Sequence, residues 1–422
     1  MRRLRLLTAG ESHGPAMSGV LEGLPAGLRV STAMVDRDLA RRQHGYGSGR
    51  RMLIEQDRVV WMGGLRFGRT LGSPLAFRID NRDWDNWRDK MAVERLPARG
   101  RPRAITLARP GHADLAGAIK YDTHDVRDVL ERASARSTAP RVLAGAVCRQ
   151  LLAVVGVRIW SYVEQLGPVR AFPDAEDPLA HVPTDWPAHD LADPSPLRCP
   201  DPDAEAAMIA RIDEARSAGD TVGGVFEVVV HGAPIGLGSY VHWDRRLDAA
   251  LAAAVMSINI VKGVELGLGF EQTRRFGSQV HDVIEGRGDD GHWIHRTNNA
   301  GGLTGGITNG EPIVVRGAVK PISTLARPLA SADLLTGQPV EKAHYERSDI
   351  SVVPAAGVVG EAMVMLTLAS FVVDKFGGDS LEEIRASLER DRERIGRNRS
   401  GAAREPADVA AEAGPVGSGG DD

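Results

Sequence analysis

The stretch STAPRVLAGAVCRQLLAVVG, residues 137–156, predicts a helix with a defined start. Ser137 offers a capping hydroxyl, Pro140 stands in the first turn, and apolar residues follow at helical spacing. Segments typical of strands and of helices alternate on both sides of this helix. This interleaving predicts an α/β (α+β) chain.

Three segments lie on the N-terminal side of that helix. Residues 4–10 predict a short strand that enters a loop, and residues 58–79 predict strands joined by tight glycine turns. Between them, residues 31–45 predict a helix with Ser31 or Thr32 as its cap.

The C-terminal side continues the alternation. The predicted elements are a helix ending at Gly219 (203–220), two strands (221–241), a helix of small residues (247–258), a strand (311–323) and a charged, solvated surface helix (380–397). Residues 165–203, rich in proline and aspartate, predict a linker or surface excursion. Residues 401–422 have little to bury and predict a disordered tail.

Length and charge narrow the class of protein. The chain has 422 residues, enough for two domains or one large α/β body. Its 52 basic and 56 acidic side chains give a net charge of −4, which argues against a nucleic acid or a membrane as partner. Any anion-binding site must therefore be local.

Cysteine content and hydropathy point to a cytoplasmic protein. Cys148 and Cys199 are the two cysteines, and their separation suggests neither a disulfide framework nor a metal site. The N-terminus lacks an apolar run of signal length, and no stretch is expected to reach the roughly 18 apolar residues of a membrane span.

Glycine-rich loops beside polar residues suggest anion binding. They are TAGESHG (8–14), HGYGSGRRM (44–52) and NNAGGLTGGITNG (298–310), and for any one of them alone an ordinary turn is the favoured interpretation. Several arginines also lie close to glycine, serine or histidine: Arg42, Arg50, Arg51, Arg109, Arg132, Arg136 and Arg347. Because a guanidinium binds carboxylate and phosphate through two donors, the set predicts a small substrate with several anionic groups.

Two histidines and one lysine are candidates for chemistry. His13 in SHG and His112 in GHA have neighbours that are not apolar, which favours proton transfer over a structural role. Lys320 begins KPIST, a plausible cradle for a cofactor phosphate. Asp349 follows an arginine in RSD, where a surface ion pair is the alternative.

Together these motifs resemble the chorismate synthase family. They occur in the family's order from residue 1 to about 390: GESHG, RPGHAD with KY following, RASAR, SINIVKGVE, NNAGGLTGGITNG, KPIST and RSD. The resemblance implies a β-α-β sandwich subunit, a single catalytic domain over residues 1–400 and a homotetramer.

The resemblance also implies an activity. The family is a lyase of the shikimate pathway, which leads to the aromatic amino acids. With reduced FMN it converts 5-enolpyruvylshikimate 3-phosphate to chorismate by anti-1,4-elimination of phosphate and a ring proton. Such a flavoprotein uses NADPH as an indirect reductant, and an external flavin reductase is the expected partner. The cofactor carries the difficult step, while the protein supplies orientation and charge.

Residue roles carry over from the family pattern at matching positions. His13 would protonate the departing phosphate, His112 would protonate or stabilise the reduced flavin, and Asp349 would assist removal of the ring proton. The FMN positions are Arg132, Ala133, Ser134, Asn259, Ile260, Gly305, Lys320, Pro321, Ile322, Ser323, Thr324 and Arg347. The substrate or NADP-side positions are Arg42, Ser48, Arg50, Arg51, Arg109 and Arg136.

Three residues depart from the family pattern. Ser48 stands where an arginine is expected, Ser137 replaces a glutamate, and Leu268 replaces an aspartate. Two alternatives therefore stay open: a non-catalytic paralogue that binds flavin or a phosphorylated shikimate derivative, and a sister enzyme acting on a related enolpyruvyl ester. The sequence also leaves open whether the chain reduces flavin itself.

Overall fold

A computed structural model describes residues 4–47, 56–97, 99, 102–172, 192–288, 293–346 and 349–397. Two antiparallel sheets enclose a layer of helices within those residues. The first sheet has the order β1-β2-β6-β3, with strands β1 Arg5–Ala9, β2 Ala16–Glu22, β3 Val59–Gly63 and β6 Leu75–Asp80. The short hairpin β4 Leu65–Arg66 and β5 Arg69–Thr70 lies between β3 and β6 in the chain.

The second sheet has five strands in the order β10-β15-β9-β7-β8. They are β7 Arg158–Leu166, β8 Val169–Arg170, β9 Gly224–His231, β10 Val261–Leu266 and β15 Ile313–Val319. The remaining strands form two-stranded hairpins: β11 Ile284–Arg287 with β12 Trp293–His295, β13 Leu303–Thr304 with β14 Ile307–Thr308, and β16 Ser331–Ala332 with β17 Pro339–Val340.

Nine helices lie within the described residues. They are α1 Thr32–Gln43, α2 Asp114–Tyr121, α3 Arg127–Ala133, α4 Ala139–Val154, α5 Pro202–Ala218, α6 Leu247–Met256, α7 Gly277–Val280, α8 Val353–Phe376 and α9 Leu381–Arg397. Helix α4 packs against α1 and α8, and it also contacts the first sheet, whereas α8 packs on strands β7 and β9 of the second. The predicted α/β class and the β-α-β sandwich are both confirmed.

Glycines allow the middle layer to pack closely. A Cβ at Gly145 of α4 would lie 2.6 Å from the Cα of Ala362 in α8. At Gly360 of α8 a Cβ would lie 2.4 Å from the ring of Phe226 in β9. Since neither neighbour is the end of a flexible side chain, any larger residue at these two positions would force the helices apart.

Helix α8 contradicts one expectation from the sequence. It has 24 residues, and its most apolar 18-residue window has a mean hydropathy of 1.9, so α8 is long and apolar enough to cross a membrane by length and composition alone. However, 89% of its most apolar window is buried inside the protein, so α8 is a core helix. The expectation that no stretch reaches this length and hydropathy is therefore wrong.

A buried ion network joins α8 to its neighbours. The carboxylate of Glu361 accepts hydrogen bonds from Arg41 of α1 at 2.8 Å, from Arg149 of α4 at 2.5 Å and from Arg198 at 3.1 Å. Burial alone would raise the pKa of Glu361, but the three guanidinium groups hold it well below its usual range. Removing this one carboxylate would leave three arginines without a shared partner.

Most of the predicted helices and strands are confirmed. The predicted cap residue is correct for α1 but not for α4. Ser31 caps α1 as predicted, and α5 ends at Gly219, which adopts a left-handed conformation. The predicted cap at Ser137 is wrong, because residues Ala135–Thr138 form a 3₁₀ turn that leads directly into α4. Thr138 occupies the cap position without a side-chain cap bond.

Three further predictions fail in part. Residues 221–241 contain one strand, β9, because Gly232, Gly236 and Gly238 have positive φ and turn the chain. The predicted linker at 165–203 is wrong at its start, where residues belong to β7 and β8. Helix α9 is not wholly solvated, since Leu381, Ile384 and Leu388 are buried in the main core.

Candidate active site

His13 lies in the loop between β1 and β2 and is held by a carboxylate from α3. Its Nδ1 lies 2.8 Å from Oε2 and 3.0 Å from Oε1 of Glu131, and its backbone N–H donates to Oε2 at 2.9 Å. Arg127, one turn earlier on α3, donates to Oε1 of Glu131 at 3.1 Å. Both the imidazole and the carboxylate are buried. The result is a histidine whose Nδ1 side is fully engaged.

An aromatic ring fixes the plane of the His13 imidazole. Trp87 stacks on it with ring centroids 3.6 Å apart and an interplanar angle of 20°. The cationic groups of Lys90 and Arg127 lie 4.6 Å and 5.5 Å from the centroid of the Trp87 ring. Stacking and two cation–π contacts therefore restrict the rotation of this histidine.

His112 precedes α2 and has a second carboxylate. Its Nδ1 lies 2.5 Å from Oδ1 of Asp114, whose side chain is fully buried. Arg109 donates to the same carboxylate from Nε at 2.8 Å and from Nη2 at 3.1 Å. Burial alone would raise the pKa of Asp114, but hydrogen bonds from His112 and Arg109 bring it well below the usual range.

The guanidinium of Arg109 is occupied by protein groups. Besides Asp114, it lies 3.1 Å from Nδ1 of His112 and donates to Thr324 Oγ1 at 3.2 Å. The sequence predicted a substrate contact for Arg109. In the structure, Arg109 ties the loop before α2 to the segment 320–324, and its substrate contact stays a prediction.

Arg42 and Arg136 meet at one buried carboxylate. Arg42 donates to Oδ2 of Asp57 at 2.6 Å, and Arg136 donates to Oδ1 at 3.4 Å. Arg136 also donates to Ser12 O at 3.3 Å and to Asn81 Oδ1 at 3.2 Å, beside the His13 loop. Both arginines thus converge on the first sheet near His13, as a polyanion site requires.

The segment 320–324 lies against the loop that carries His112. Lys320 Nζ donates to the carbonyl of Gly111, and a Cβ at Gly111 would lie 3.5 Å from Cβ of Ser323. Gly111 has a φ of +75°, so glycine is favoured there on conformational grounds as well. Burial, then the nearby Lys262, lower the pKa of Lys320. Two close lysines make a local excess of positive charge that a phosphate would neutralise.

The other predicted cofactor residues border this region or bond to its backbone. Asn259 donates to Ala133 O at 2.8 Å, and Ser134 lies at the start of the 3₁₀ turn with its Oγ 3.1 Å from that of Ser12. Arg132 donates to Gly10 O and to Thr8 O, at 3.0 Å each. These residues therefore connect α3 with the His13 loop and with the start of β10.

Backbone contacts join the last members of the predicted set. Ile260 O accepts from the backbone N of Lys320 at 3.0 Å, and Ile322 O accepts from Thr221 Oγ1 at 2.8 Å. Pro321 lies between Lys320 and Ile322. Gly305 lies apart from these residues, at the tip of the β13–β14 hairpin with a φ of +61°.

Asp349 belongs to the same side of the molecule as segment 320–324. The next residue, Ile350, accepts from the backbone N of Val222, which follows Thr221. Four other predicted site residues, Ser48, Arg50, Arg51 and Arg347, lie outside the described residues, as does the predicted tail 401–422.

Electrostatics link the surroundings of the two histidines. Glu346 accepts from His344 at 3.4 Å, and this bond lowers the pKa of Glu346. Arg109, beside His112, and Arg127, beside His13, lower it further. One carboxylate thus lies within the electrostatic range of both centres.

Sequence reasoning missed the three acidic partners: Glu131, Asp114 and Asp57. Asp114 could have been found from the spacing Arg-x-x-His-x-Asp within one loop. Glu131 offered a weaker signal, its position one helical turn after Arg127. Asp57 lies in a segment without a recognisable motif, so no sequence signal identifies it.

Two of the sequence departures lie in packed positions. Leu268 is 1% exposed, and its backbone N–H donates to Asn299 O at 2.9 Å. Ser137 is buried in the 3₁₀ turn before α4, next to Arg136. Leu268 therefore belongs to the core beside β10, whereas Ser137 adjoins the anion-binding arginines.

Metal-binding clusters and reactive thiols are not features of the described part of the chain. No group of three or more His, Cys, Asp or Glu side chains within it is arranged to hold a metal ion. Cys148 and Cys199 are free and buried, and burial raises the pKa of the Cys199 thiol to about 11. Acid–base groups and cationic side chains are thus the chemistry that this site offers.

Comparison with known proteins places this geometry in a family. The family model described as "Chorismate synthase" matches residues 4–373. A chorismate synthase of Desulforudis audaxviator (strain MP104C) is 54% identical over 399 residues, which cover 94% of this chain and 100% of the relative. One of Symbiobacterium thermophilum (strain DSM 24528 / JCM 14929 / IAM 14863 / T) is 55% identical over 385 residues, covering 90% and 96%.

A solved structure is also similar. It is described as "Crystal Structure of Chorismate Synthase" and superposes with a TM-score of 0.75 at 40% sequence identity. The match covers 94% of this chain and 99% of that one. Similarity of sequence and of fold therefore agree over nearly the whole chain.

Proposed function

Because the chain belongs to the chorismate synthase family, we propose that the two histidine centres and the cationic groups around them carry out the family's reaction in this protein. The activity is that of a carbon–oxygen lyase of the shikimate pathway, which makes chorismate by 1,4-elimination of phosphate. The observation that carries the assignment of residues is the convergence of Arg42, Arg136 and His13 on one end of the first sheet.

The residues around segment 320–324 fit reduced FMN, the cofactor of the family. Lys320 with its lowered pKa, the Ser323 hydroxyl and the close approach at Gly111 suit the phosphate. Ser134 and Asn259 offer neutral polar groups between this segment and His13. When bound, reduced FMN lends electron density to the substrate ring while phosphate leaves.

Each ionisable side chain has one task in this proposal. His13 donates its Nε2 proton to an oxygen of the leaving phosphate, since Glu131 occupies its Nδ1 side. His112 holds a proton beside the cofactor, with Asp114 as its partner. Asp349 assists the removal of the ring proton.

Arginines hold the anionic groups of the substrate. Arg42 and Arg136 bind its carboxylate or phosphate after Asp57 has oriented them. Arg51 and Arg347 complete the set, and Arg50 compensates for the arginine that Ser48 replaces. Arg109 keeps its predicted contact with the substrate and also positions His112 and Thr324.

Several properties of the whole protein belong to the same proposal. Residues 1–400 act as one catalytic domain, and four chains form the active homotetramer. The protein works in the cytoplasm with FMN that an external reductase keeps reduced at the expense of NADPH. The exposed apolar side chains of Leu7 and Met62 on the first sheet support contact between chains.

An anaerobic assay tests the function directly. The purified protein is mixed with 5-enolpyruvylshikimate 3-phosphate and chemically reduced FMN, and chorismate and phosphate are measured. We expect many turnovers per flavin and none with oxidised FMN, because electrons are lent and returned. Stoichiometric oxidation of flavin per product would contradict the mechanism, and binding without turnover would favour the non-catalytic paralogue.

The same assay, with NADPH replacing the chemical reductant, tests the external reductase. We expect turnover only after a separate flavin reductase is added. Turnover without that addition would assign flavin reduction to this chain.

A further inference from the structure

We propose that Glu131 is a positioning residue that fixes the orientation and the tautomer of His13, an inference that rests on the proposed role of His13 as proton donor. Glu131 contacts the histidine at two atoms, since Oε2 accepts from the backbone N at 2.9 Å and lies 2.8 Å from Nδ1. In addition, Glu131 O accepts from the backbone N of Ser12 at 2.9 Å. Helix α3 therefore holds the His13 loop through main chain and side chain together.

The contact determines which nitrogen can react. An ionised carboxylate only accepts hydrogen bonds, so the Nδ1 of His13 must carry a proton. The reacting proton is then exchanged at Nε2. When Nε2 gives its proton to a phosphate oxygen, the imidazole becomes neutral while its Nδ1–H stays on Glu131, and no second proton has to move.

Neighbouring groups keep the carboxylate in place. Arg127 donates to Oε1 of Glu131 at 3.1 Å, and the Glu131 side chain is fully buried. Trp87 covers one face of the His13 ring, and Lys90 lies over the Trp87 ring. Among the described residues, the charged groups around His13 include Glu131, Arg127 and Lys90, Arg136 donates to the neighbouring Ser12 O, and Glu346 acts on Arg127 from the segment after β17.

The test compares Glu131→Gln with Glu131→Asp. The glutamine keeps the size but loses the charge, so we expect kcat to fall by about 10- to 100-fold, as when a carboxylate that orients a histidine is removed. KM should change by less than about threefold, since substrate contacts are unaffected. Glu131→Asp keeps the charge and should recover part of the rate.

The pH profile distinguishes positioning from simple damage to the fold. With Glu131→Gln, the protonated form of His13 loses its anionic partner, so the alkaline limb of the kcat profile should move to lower pH. In the double variant His13→Ala/Glu131→Gln, the second change should cost nothing further, because both residues act through one proton.

Glu227→Gln is the matched control. Glu227 is also fully buried, lies in β9, and accepts from Tyr162 at 2.8 Å. Its side chain contacts Tyr162 and Arg316, neither of which has a role in the proposed reaction, so neutralising Glu227 should leave kcat and its pH profile unchanged. Should Glu131→Gln fail to fold, Arg127→Met removes the hydrogen bond to the carboxylate together with the cation–π contact on Trp87, and it should reduce kcat by about 3- to 10-fold.

The outcomes separate this inference from the proposed function. If His13→Ala is strongly impaired while Glu131→Gln retains the wild-type kcat and pH profile, positioning by Glu131 is overturned and the role of His13 stands. If His13→Ala itself turns over at the wild-type rate, the proposed proton donor is wrong. A fall in kcat with an unmoved alkaline limb would also reject the inference, because it would indicate a structural role.

Discussion

Each of the two histidines is paired with a carboxylate, but the two carboxylates come from different distances along the chain. His112 takes its carboxylate from Asp114, two residues along the same loop, and shares it with Arg109. His13 takes its carboxylate from Glu131, 118 residues away on another element. The first pair is local in the chain and the second exists only after folding. A histidine–carboxylate pair of the first kind can be found by spacing, whereas the second needs the structure.

The largest expected effect is on catalysis, and it tests whether the centres are equivalent. We expect His13→Ala, His112→Ala and Asp349→Asn each to reduce kcat by about 10²- to 10⁴-fold, as for other general acid–base groups. Single-turnover measurements with reduced FMN would separate chemistry from product release. Wild-type rates in all three variants would contradict the assigned roles.

Loss of the local carboxylate should affect stability more than loss of the distant one. Asp114→Asn removes the charge that pairs with Arg109 and His112, and breaking a buried pair typically costs about 3–5 kcal/mol. Arg109 also donates to Thr324, so segment 320–324 should loosen as well. Urea denaturation of Asp114→Asn, with Glu131→Gln beside it, measures the difference. Equal losses in the two variants would mean that the two bonds from Arg109 to Asp114 add nothing beyond the single bond from Arg127 to Glu131.

Lowering the pH should remove the stability that ionised Asp114 contributes to the fold beside His112. Because the folded protein holds the pKa of Asp114 below the unfolded value of about 3.9, this carboxylate stabilises the fold at neutral pH. That contribution is present above the unfolded pKa and is lost as pH falls through the folded one. The stability gap between wild type and Asp114→Asn should therefore stay constant above about pH 5 and narrow as the pH falls below about 4. If the stability difference between wild type and Asp114→Asn widened on acidification, the pKa of Asp114 would be raised in the folded protein instead of lowered.

The smallest expected effect concerns Lys90, which contacts the Trp87 ring that stacks on His13. Lys90 lies over the Trp87 ring at the surface, so Lys90→Met should change stability by no more than about 1 kcal/mol. kcat should stay within about twofold, because the stack of Trp87 on His13 is retained. A much larger fall in kcat would mean that Lys90 acts on the reaction itself.

Much of the fold could be predicted from local signals, and the failures have physical causes. Helices α1 and α5 carry caps and terminal glycine or basic residues that mark their bounds. The start of α4 was misplaced because a 3₁₀ turn replaces the expected side-chain cap. Helix α8 was not predicted, since its apolar run has no polar face to give a helical period.

The site was predictable to the extent that its residues stand in recognisable motifs. His13, His112 and Lys320 were found beside glycines, where backbone freedom and polar neighbours suggest function. Their partners Glu131 and Asp57 were not, because Glu131 meets His13 only when α3 packs beside the β1–β2 loop, and Asp57 meets Arg136 only when the segment before β3 lies beside the 3₁₀ turn. The residues that were found stand in local motifs, whereas the missed ones lie far along the chain from the residues they contact. Residue type does not distinguish the two sets.

The central position of α8 has a consequence for biosynthesis. This helix fills the space between the sheets, yet it follows 16 of the 17 described strands by more than 20 residues and the last of them by 13. A nascent chain that has not yet reached residue 376 therefore lacks the helix that covers the inner face of the second sheet, including Phe226. The ribosome must deliver nearly the whole polypeptide before the sandwich can close, which makes the incomplete chain a natural client for molecular chaperones.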